Sequence, residues 1–327
     1  MSEQEVSLST SGSQGEQKPL KLGEAQSKIE IPAGASSKDV VDAIMKMSQD
    51  DVLPWENFSL PSKGYFYGGK IPDGKVQMRP MGLHTEKILA TQRLLQTGQA
   101  LDEIYKKCVR FPTQFDPLDL LNGDRTFILF ILRGISHGNI YEFAAKCTKE
   151  SCGATSTYEY DLNEVGKHIR YPESSEEPVK LIMPHLSKVT GREVYAEVRY
   201  LRGRDTQIMN QTRKVKESLT GGMARSSKEL PDDKPIIAPV DNTLEENIYL
   251  AVQSISGVTD RIKIQHIVQN KLHEKDFDII FDWLADSAPG IDTEIVITCP
   301  KCQNEMTLDL PITESFLRPK KRRGGGS

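Results

Sequence analysis

The chain of 327 residues is 37% hydrophobic and 27% charged, with a net charge of −4. That is enough apolar material for two ordinary cores, but the acidic balance lacks the basic face that nucleic acid or an anionic membrane would require. No apolar run approaches the roughly 20 residues of a membrane span, and the polar N-terminus has no apolar signal region, so the expectation is a protein made and kept in a reducing cytoplasm, or packaged from there.

From Met1 to about Ser37 the chain is rich in Ser, Glu, Gln and Gly. It cannot bury enough apolar surface to offset the entropy of ordering and reads as disordered. Residues 1–50 form an arm ending in a short helix, capped by Ser37 or Asp39, with Val40, Val41, Ile44 and Met47 on one face. That face is read as a lid on the protein's own domain, with a docking helix for a partner as the alternative. Folded structure is expected from Leu53, with turns and short edge strands marked by Pro and Gly. The glycines at 64, 68 and 69 lack the ending of a phosphate loop. Tyr65, Phe66 and Tyr67 read either as a partner-binding tip or as packing onto the adjacent domain.

Val76 to Met81 reads as a strand and Thr85 to Gln96 as a helix ending before Gly98. Leu101 to Val109 is a second helix, in which Cys108 is a small buried apolar residue. Asn122 or Asp124 then caps a helix whose stretch Phe127 to Leu132 is apolar on all sides and therefore buried. Gly134 and Gly138 end it, and Ile140 to Ala145 is a strand leading into Cys147.

The order then repeats. Glu193 to Leu201 resembles the strand at Val76, with Arg199 matching Arg79, and Ile208 and Met209 match Ile88 and Leu89. Thr243 to Ser256 reads as a helix opened by a capping box of Thr243 and Glu246. Asp276 to Ala285 is the helix before a strand from Ile291 to Thr298. The fold class is thus α+β, in two duplicated strand-helix-strand units. The first spans 51–170, a linker 171–190, and the second 191–317 with a flexible insertion at 216–239; a basic and glycine tail occupies 318–327.

Each unit closes on a cysteine knuckle between two strands. The first holds Cys147 and Cys152, the second Cys299 and Cys302, and each is followed by a strand ending Asp-Leu. A zinc ion takes four thiolates in a tetrahedron, and a tight turn can offer two. The two knuckles together form a zinc-ribbon-like pair around one structural Zn2+, held by Cys147, Cys152, Cys299 and Cys302. Reduced, buried thiols left from a former metal site are the alternative. A disulfide is disfavoured in a reducing compartment, and four thiolates leave no open position for catalysis.

Catalytic signatures are absent from the sequence. There is no Gly-Lys-Thr loop, nucleophile elbow or His-Glu-x-x-His. The histidines (His84, His137, His168, His185, His266 and His273) lie beside no nucleophile. Asp278, Asp282 and Asp286 recur on one helical side and read as a solvated face. No catalytic or cofactor-binding residue is therefore assigned.

The conjunction of LPSKGYFY, VQMRPM, EKIL, NGDRTFILFILRG, a strand into a cysteine knuckle and CPKC followed by LDLPITESFLRP resembles the T-even-type baseplate hub and hub-assembly proteins of contractile-tailed phages. The resemblance covers Leu53 to Asp161 and Ile291 to Pro319 well and Leu162 to Leu244 poorly; the four-residue spacer of the first knuckle departs from the Cys-x-x-Cys pattern. It implies a non-enzymatic tail component with other baseplate and tail proteins as partners, acting as an oligomer in the virion baseplate or as an assembly factor in the host cytoplasm. A zinc-ribbon nucleic-acid-binding or transcription-related protein is the alternative, and a metal hydrolase using the aspartate face the remotest.

Overall fold

The computed structural model describes residues 36–47, 52–91, 94, 99–219 and 244–319. The expectations for Met1 to Ala35, for 220–239, for Thr243 and for the tail beyond Pro319 lie outside them. The described residues are mixed helix and sheet, an α+β fold.

The first half opens with helix α1 (Ser37–Lys46). Strands β1 (Glu56–Ser59) and β2 (Lys75–Met78) pair antiparallel with Glu56 opposite Met78. Helices α2 (Leu83–Leu89) and α3 (Gln99–Cys108) then lead to β3 (Val109–Arg110), which pairs with β2. Helix α4 (Asn122–His137) follows, and Phe127 to Leu132 are buried all round it, as an unbroken apolar run requires. Its cap is Leu121, not Asn122 or Asp124, and it runs through Gly134 to end at Gly138, whose φ of 78° turns the chain out. Buried Arg133 donates to the carbonyls of Gly138 (2.6 Å) and Ile140 (2.9 Å), tying the helix end to the next strand. That strand, β4 (Ile140–Lys146), forms a hairpin with β5 (Thr155–Asp161), followed by the short α5 (Leu162–Val165) and β6 (Ile169–Arg170).

The second half opens with β7 (Val179–Ile182) and α6 (Pro184–Thr190), both inside the expected linker 171–190. Strand β8 (Tyr195–Val198) lies between β7 and β9 (Val252–Ile255) in a second three-stranded antiparallel sheet. Helices α7 (Gly203–Leu219) and α8 (Leu244–Ala251) belong to the β8–β9 connection. The helix expected from Thr243 to Ser256 therefore stops at Ala251, and its last residues are a strand. The first residues of the expected insertion, up to Leu219, are helical. Helices α9 (Arg261–Asn270) and α10 (Glu274–Ser287) lead to β10 (Gly290–Ile291), which pairs with β6, and then to the hairpin of β11 (Glu294–Thr298) and β12 (Glu305–Asp309), with α11 (Glu314–Leu317) behind it.

Individual hydrogen bonds recur between the halves. The Arg79 N–H leaves β2 for the carbonyl of Cys108, just before β3, and the Arg199 N–H leaves β8 for that of Ala251, just before β9, both at 3.0 Å. Leu162 closes the first hairpin by donating to Asn139 O, and Leu310 closes the second by donating to Thr293 O.

The cores do not divide as the halves do. Ile248, Ile264, Val268 and Ile280 form one core with the β7–β8–β9 sheet. The last hairpin and α11 pack instead into the core of the first half, where Ile295, Ile297, Met306, Leu310 and Phe316 join α4 and β4. Phe316 lies 5.0 Å from both Phe130 and Tyr141, and the Tyr141 hydroxyl donates to Pro311 O at 2.7 Å. Elsewhere Phe66 meets Tyr200 edge-on at 5.1 Å, and Tyr200 stacks on Trp283 at 4.6 Å. Phe66 is buried against Tyr200 of the other half, Tyr67 is buried within the first half against Phe115 and Asp124, and Tyr65 is exposed. Gly203 N–H reaches Leu120 O, Asn122 N–H reaches Leu201 O, and Arg204 pairs with Asp116 and Asp119. Gly123 lies so close to Pro289 that a Cβ there would stand 1.8 Å from the proline carbonyl oxygen. The linker is tied in as well: Glu177 accepts from Tyr200 N–H and pairs with Arg202.

Helix α1 is capped by Ser36, with Asp39 completing a capping box. None of its residues is buried, and Val41, Ile44 and Met45 are 56%, 53% and 79% exposed. The lid reading fails: no described residue covers its apolar side.

Candidate metal centre

The sequence places Cys147 at the end of β4 and Cys299 at the end of β11, each pointing inward because alternate strand residues share a face. Both are buried, while Cys152 and Cys302, in the turns, are half-buried. The turns match despite unequal spacers. Cys147 N–H donates to Ala154 O and Cys299 N–H to Asn304 O, both at 2.9 Å. The residue after the second cysteine is left-handed in each, Gly153 at φ 51° and Gln303 at φ 55°. The two extra residues of the first spacer are absorbed by a turn in which Cys152 and Gly153 both donate to Lys149 O.

The knuckles face each other crosswise. Cys147 Sγ lies 3.6 Å from Cys302 Sγ, and Cys152 Sγ lies 4.0 Å from Cys299 Sγ. All four sulfurs fall within 4.8 Å of one another, close enough to hold a metal ion. All are free thiols. Thiolates at ~2.3 Å from a tetrahedral ion stand ~3.8 Å apart, so this set can take such an ion if its widest pairs close by up to ~1 Å. The fifth cysteine, Cys108, lies apart, buried beside Thr85, and burial pushes its thiol up.

The two cysteines of the second knuckle are shifted in opposite directions. Cys299 is pulled down to about 7, first by the Cys302 N–H aimed at its sulfur, then by the Lys301 N–H. Cys302 is pushed up to about 11: the Asn304 N–H opposes that rise, and burial with the sulfurs of Cys147, Cys152 and Cys299 outweighs it. A divalent cation would remove the mutual repulsion and let all four deprotonate.

The sequence marks two further carboxylates only as helix-start residues, Asp124 as a cap and Asp276 as a first residue. Asp124, fully buried in the first turn of α4, accepts from Ser62 N–H at 3.0 Å and from the Tyr67 hydroxyl. Burial pushes it up to about 6, against the pull of those donors. Asp276, fully buried in the first turn of α10, accepts from the N–H groups of His185 (2.8 Å) and Leu186 (3.1 Å). Each pins the segment after its half's first strand to the helix that precedes its knuckle. An acid near a helix start reads as a cap; only its invariant position in both halves could have flagged it. Asp278, Asp282 and Asp286 are exposed, as a solvated face should be. Among the described residues no helix is long and apolar enough to cross a membrane.

A family model described as T4 bacteriophage base plate protein matches residues 62–318. No curated protein and no solved structure matches the chain.

Proposed function

The chain belongs to the T4 bacteriophage base plate protein family, and from that membership we propose that it is a building or assembly component of the hub region of a contractile-tail baseplate. The family makes it a structural component of the phage tail and suggests a non-enzymatic role. Its partners are other tail proteins, met first in the host cytoplasm. The observation that carries a structural part is the convergence of four thiols from two hairpins about 150 residues apart in sequence.

In this reading Cys147, Cys152, Cys299 and Cys302 hold a structural zinc. Metal binding adds to folding free energy, so the ion fastens the terminal hairpin, and with it the second half, to the first. The halves are copies of one ancestral unit, expected at 51–170 and 191–317, with β7 and α6 of the expected linker 171–190 belonging to the second copy. The paired bonds of Arg79 and Arg199, of Leu162 and Leu310, and of Asp124 and Asp276 support this, since such details have no reason to coincide in unrelated folds. The polar N-terminal arm and the insertion order on neighbouring subunits, as segments of that composition do; the exposed apolar side of α1 supports the same use.

The test is quantitative mass spectrometry of purified tails together with a chain lacking residues 1–50. The chain should occur at a fixed copy number in the hub, or only in assembling intermediates, and the truncation should stay folded but fail to assemble. A truncated chain that assembles normally sinks the arm; absence from both tails and intermediates sinks the hub.

A further inference from the structure

The four thiols can do more than hold a metal. Across the two knuckles their sulfurs stand in two contacting pairs, Cys147 Sγ with Cys302 Sγ at 3.6 Å and Cys152 Sγ with Cys299 Sγ at 4.0 Å. Each pair joins a buried sulfur, Cys147 or Cys299, to a half-buried one, Cys302 or Cys152. A sulfur that solvent reaches is thus backed by one that solvent does not. In such an arrangement one thiol meets an oxidant and its neighbour completes the bond.

Four cysteines allow three connectivities. Pairing within the knuckles would join residues five and three positions apart and leave the two hairpins unlinked. Pairing Cys147 with Cys299 would join two buried sulfurs, neither of them open to an oxidant. Crosswise pairing uses the contacts already present, each pair closing by ~1.6–2 Å to reach the ~2.05 Å of a disulfide. It also spans 155 and 147 residues of chain, and loops of that length restrain an unfolded chain most when closed. A phage tail component leaves a reducing cytoplasm for an oxidising exterior, where disulfides form and last.

We propose that the metal-free cluster is a redox clasp: in an oxidising medium it closes into two crosswise disulfides, Cys147–Cys302 and Cys152–Cys299, with a small disulfide such as glutathione disulfide as the oxidant. A deprotonated half-buried sulfur, Cys302 or Cys152, attacks one sulfur of the oxidant and expels the other as a thiolate. The buried partner then attacks the half-buried sulfur of this mixed disulfide and expels the second glutathione. Per pair, two protein thiols and one glutathione disulfide become one protein disulfide and two glutathione thiols. The bonds fasten the terminal hairpin to the first half where no metal is present. The pairing depends on where the hairpins hold the sulfurs and not on bound zinc, so either reading can fail alone.

Full-length protein, stripped of metal by chelator under reductant, is moved into glutathione disulfide and its free thiols are counted. The count should fall from five to one, the survivor being Cys108, which is buried apart from the cluster. Trypsin cuts after Lys149 and Lys301, which lie between the cysteines of each knuckle, so all four fall in separate peptides and mass spectrometry reads the pairing. The peptide of Cys147 should be linked to that of Cys302, and the peptide of Cys152 to that of Cys299. Either other connectivity, links between chains, glutathione adducts left unresolved, or a count that stays above one overturns the proposal. Zinc supplied before the oxidant should delay the loss of thiols. A chain that binds no zinc shows the same links without the delay, which sinks the metal reading and leaves the clasp standing.

Discussion

Replacing Cys299 and Cys302 by serine is the sharpest probe of the four-thiol cluster. The sulfurs already stand 3.6 and 4.0 Å apart across the two knuckles, against ~3.8 Å for a tetrahedral thiolate set. The four sulfurs lie within 4.8 Å of one another, so an ion enters with small side-chain shifts, and most of its binding free energy reaches stability. At free metal a thousandfold above Kd the linkage is ~4 kcal/mol. For a chain of this size each kcal/mol moves Tm by roughly 2–3 °C, so removing the ion should cost ~10 °C. Serine in the buried 299 position adds a packing and polar penalty of its own, so the informative comparison uses a chelator. Protein purified without added metal should carry one zinc per chain by elemental analysis, and chelator should lower its Tm by ~10 °C. The double variant should carry none, melt lower, and ignore chelator. A metal-free wild-type chain whose Tm chelator leaves alone would refute the reasoning, leaving four packed thiols.

Three other outcomes follow from the packing. Gly123→Ala forces a Cβ to 1.8 Å from the Pro289 carbonyl, backbone against backbone, and should cost ~3 kcal/mol in urea unfolding; Gly68→Ala, strained only by its left-handed φ of 57° with nothing within 4 Å, should cost ~1 kcal/mol, and equal costs would contradict the junction described. Asp276→Ala strands the N–H groups of His185 and Leu186 and should cost ~3 kcal/mol, whereas Asp278→Ala on the exposed face should stay within ~0.5 kcal/mol. Asp124 is raised from 3.8 to about 6, so the folded state holds that proton more tightly than the unfolded chain. Its contribution favours folding at low pH and is lost as pH rises from about 4 to about 6, a swing of ~3 kcal/mol. The stability difference between wild type and Asp124→Asn should change by that amount across this window, and a constant difference would contradict the burial argument.

The cysteine pairing was legible because two look-alike turns with thiols imply a common partner, and the strand-end positions of Cys147 and Cys299 follow from alternation alone. The buried α4 was legible because nothing polar interrupts Phe127 to Leu132. What escaped was set by tertiary context. Val252 to Ile255 continues the apolar pattern of α8 without a break, and only the free edge of β8 decides that it is a strand. β7 and α6 were hidden in a segment whose Pro and Glu content resembles a linker. Helix α1 carries the apolar stripe of a packed helix, yet the described residues offer it no surface, and a stripe cannot say whose surface it fits.

The packing of β11, β12 and α11 into the first core has a temporal consequence. A ribosome delivers Phe130 and Tyr141 186 and 175 residues before the Phe316 that covers them. Until that segment emerges, the wall of α4 and β4 that it will seal remains open to water, to chaperones and to other nascent chains. Folding of the first-made half therefore cannot finish before β11, β12 and α11 have been made, and a stop codon ahead of β11 should release a product that is soluble only with a chaperone.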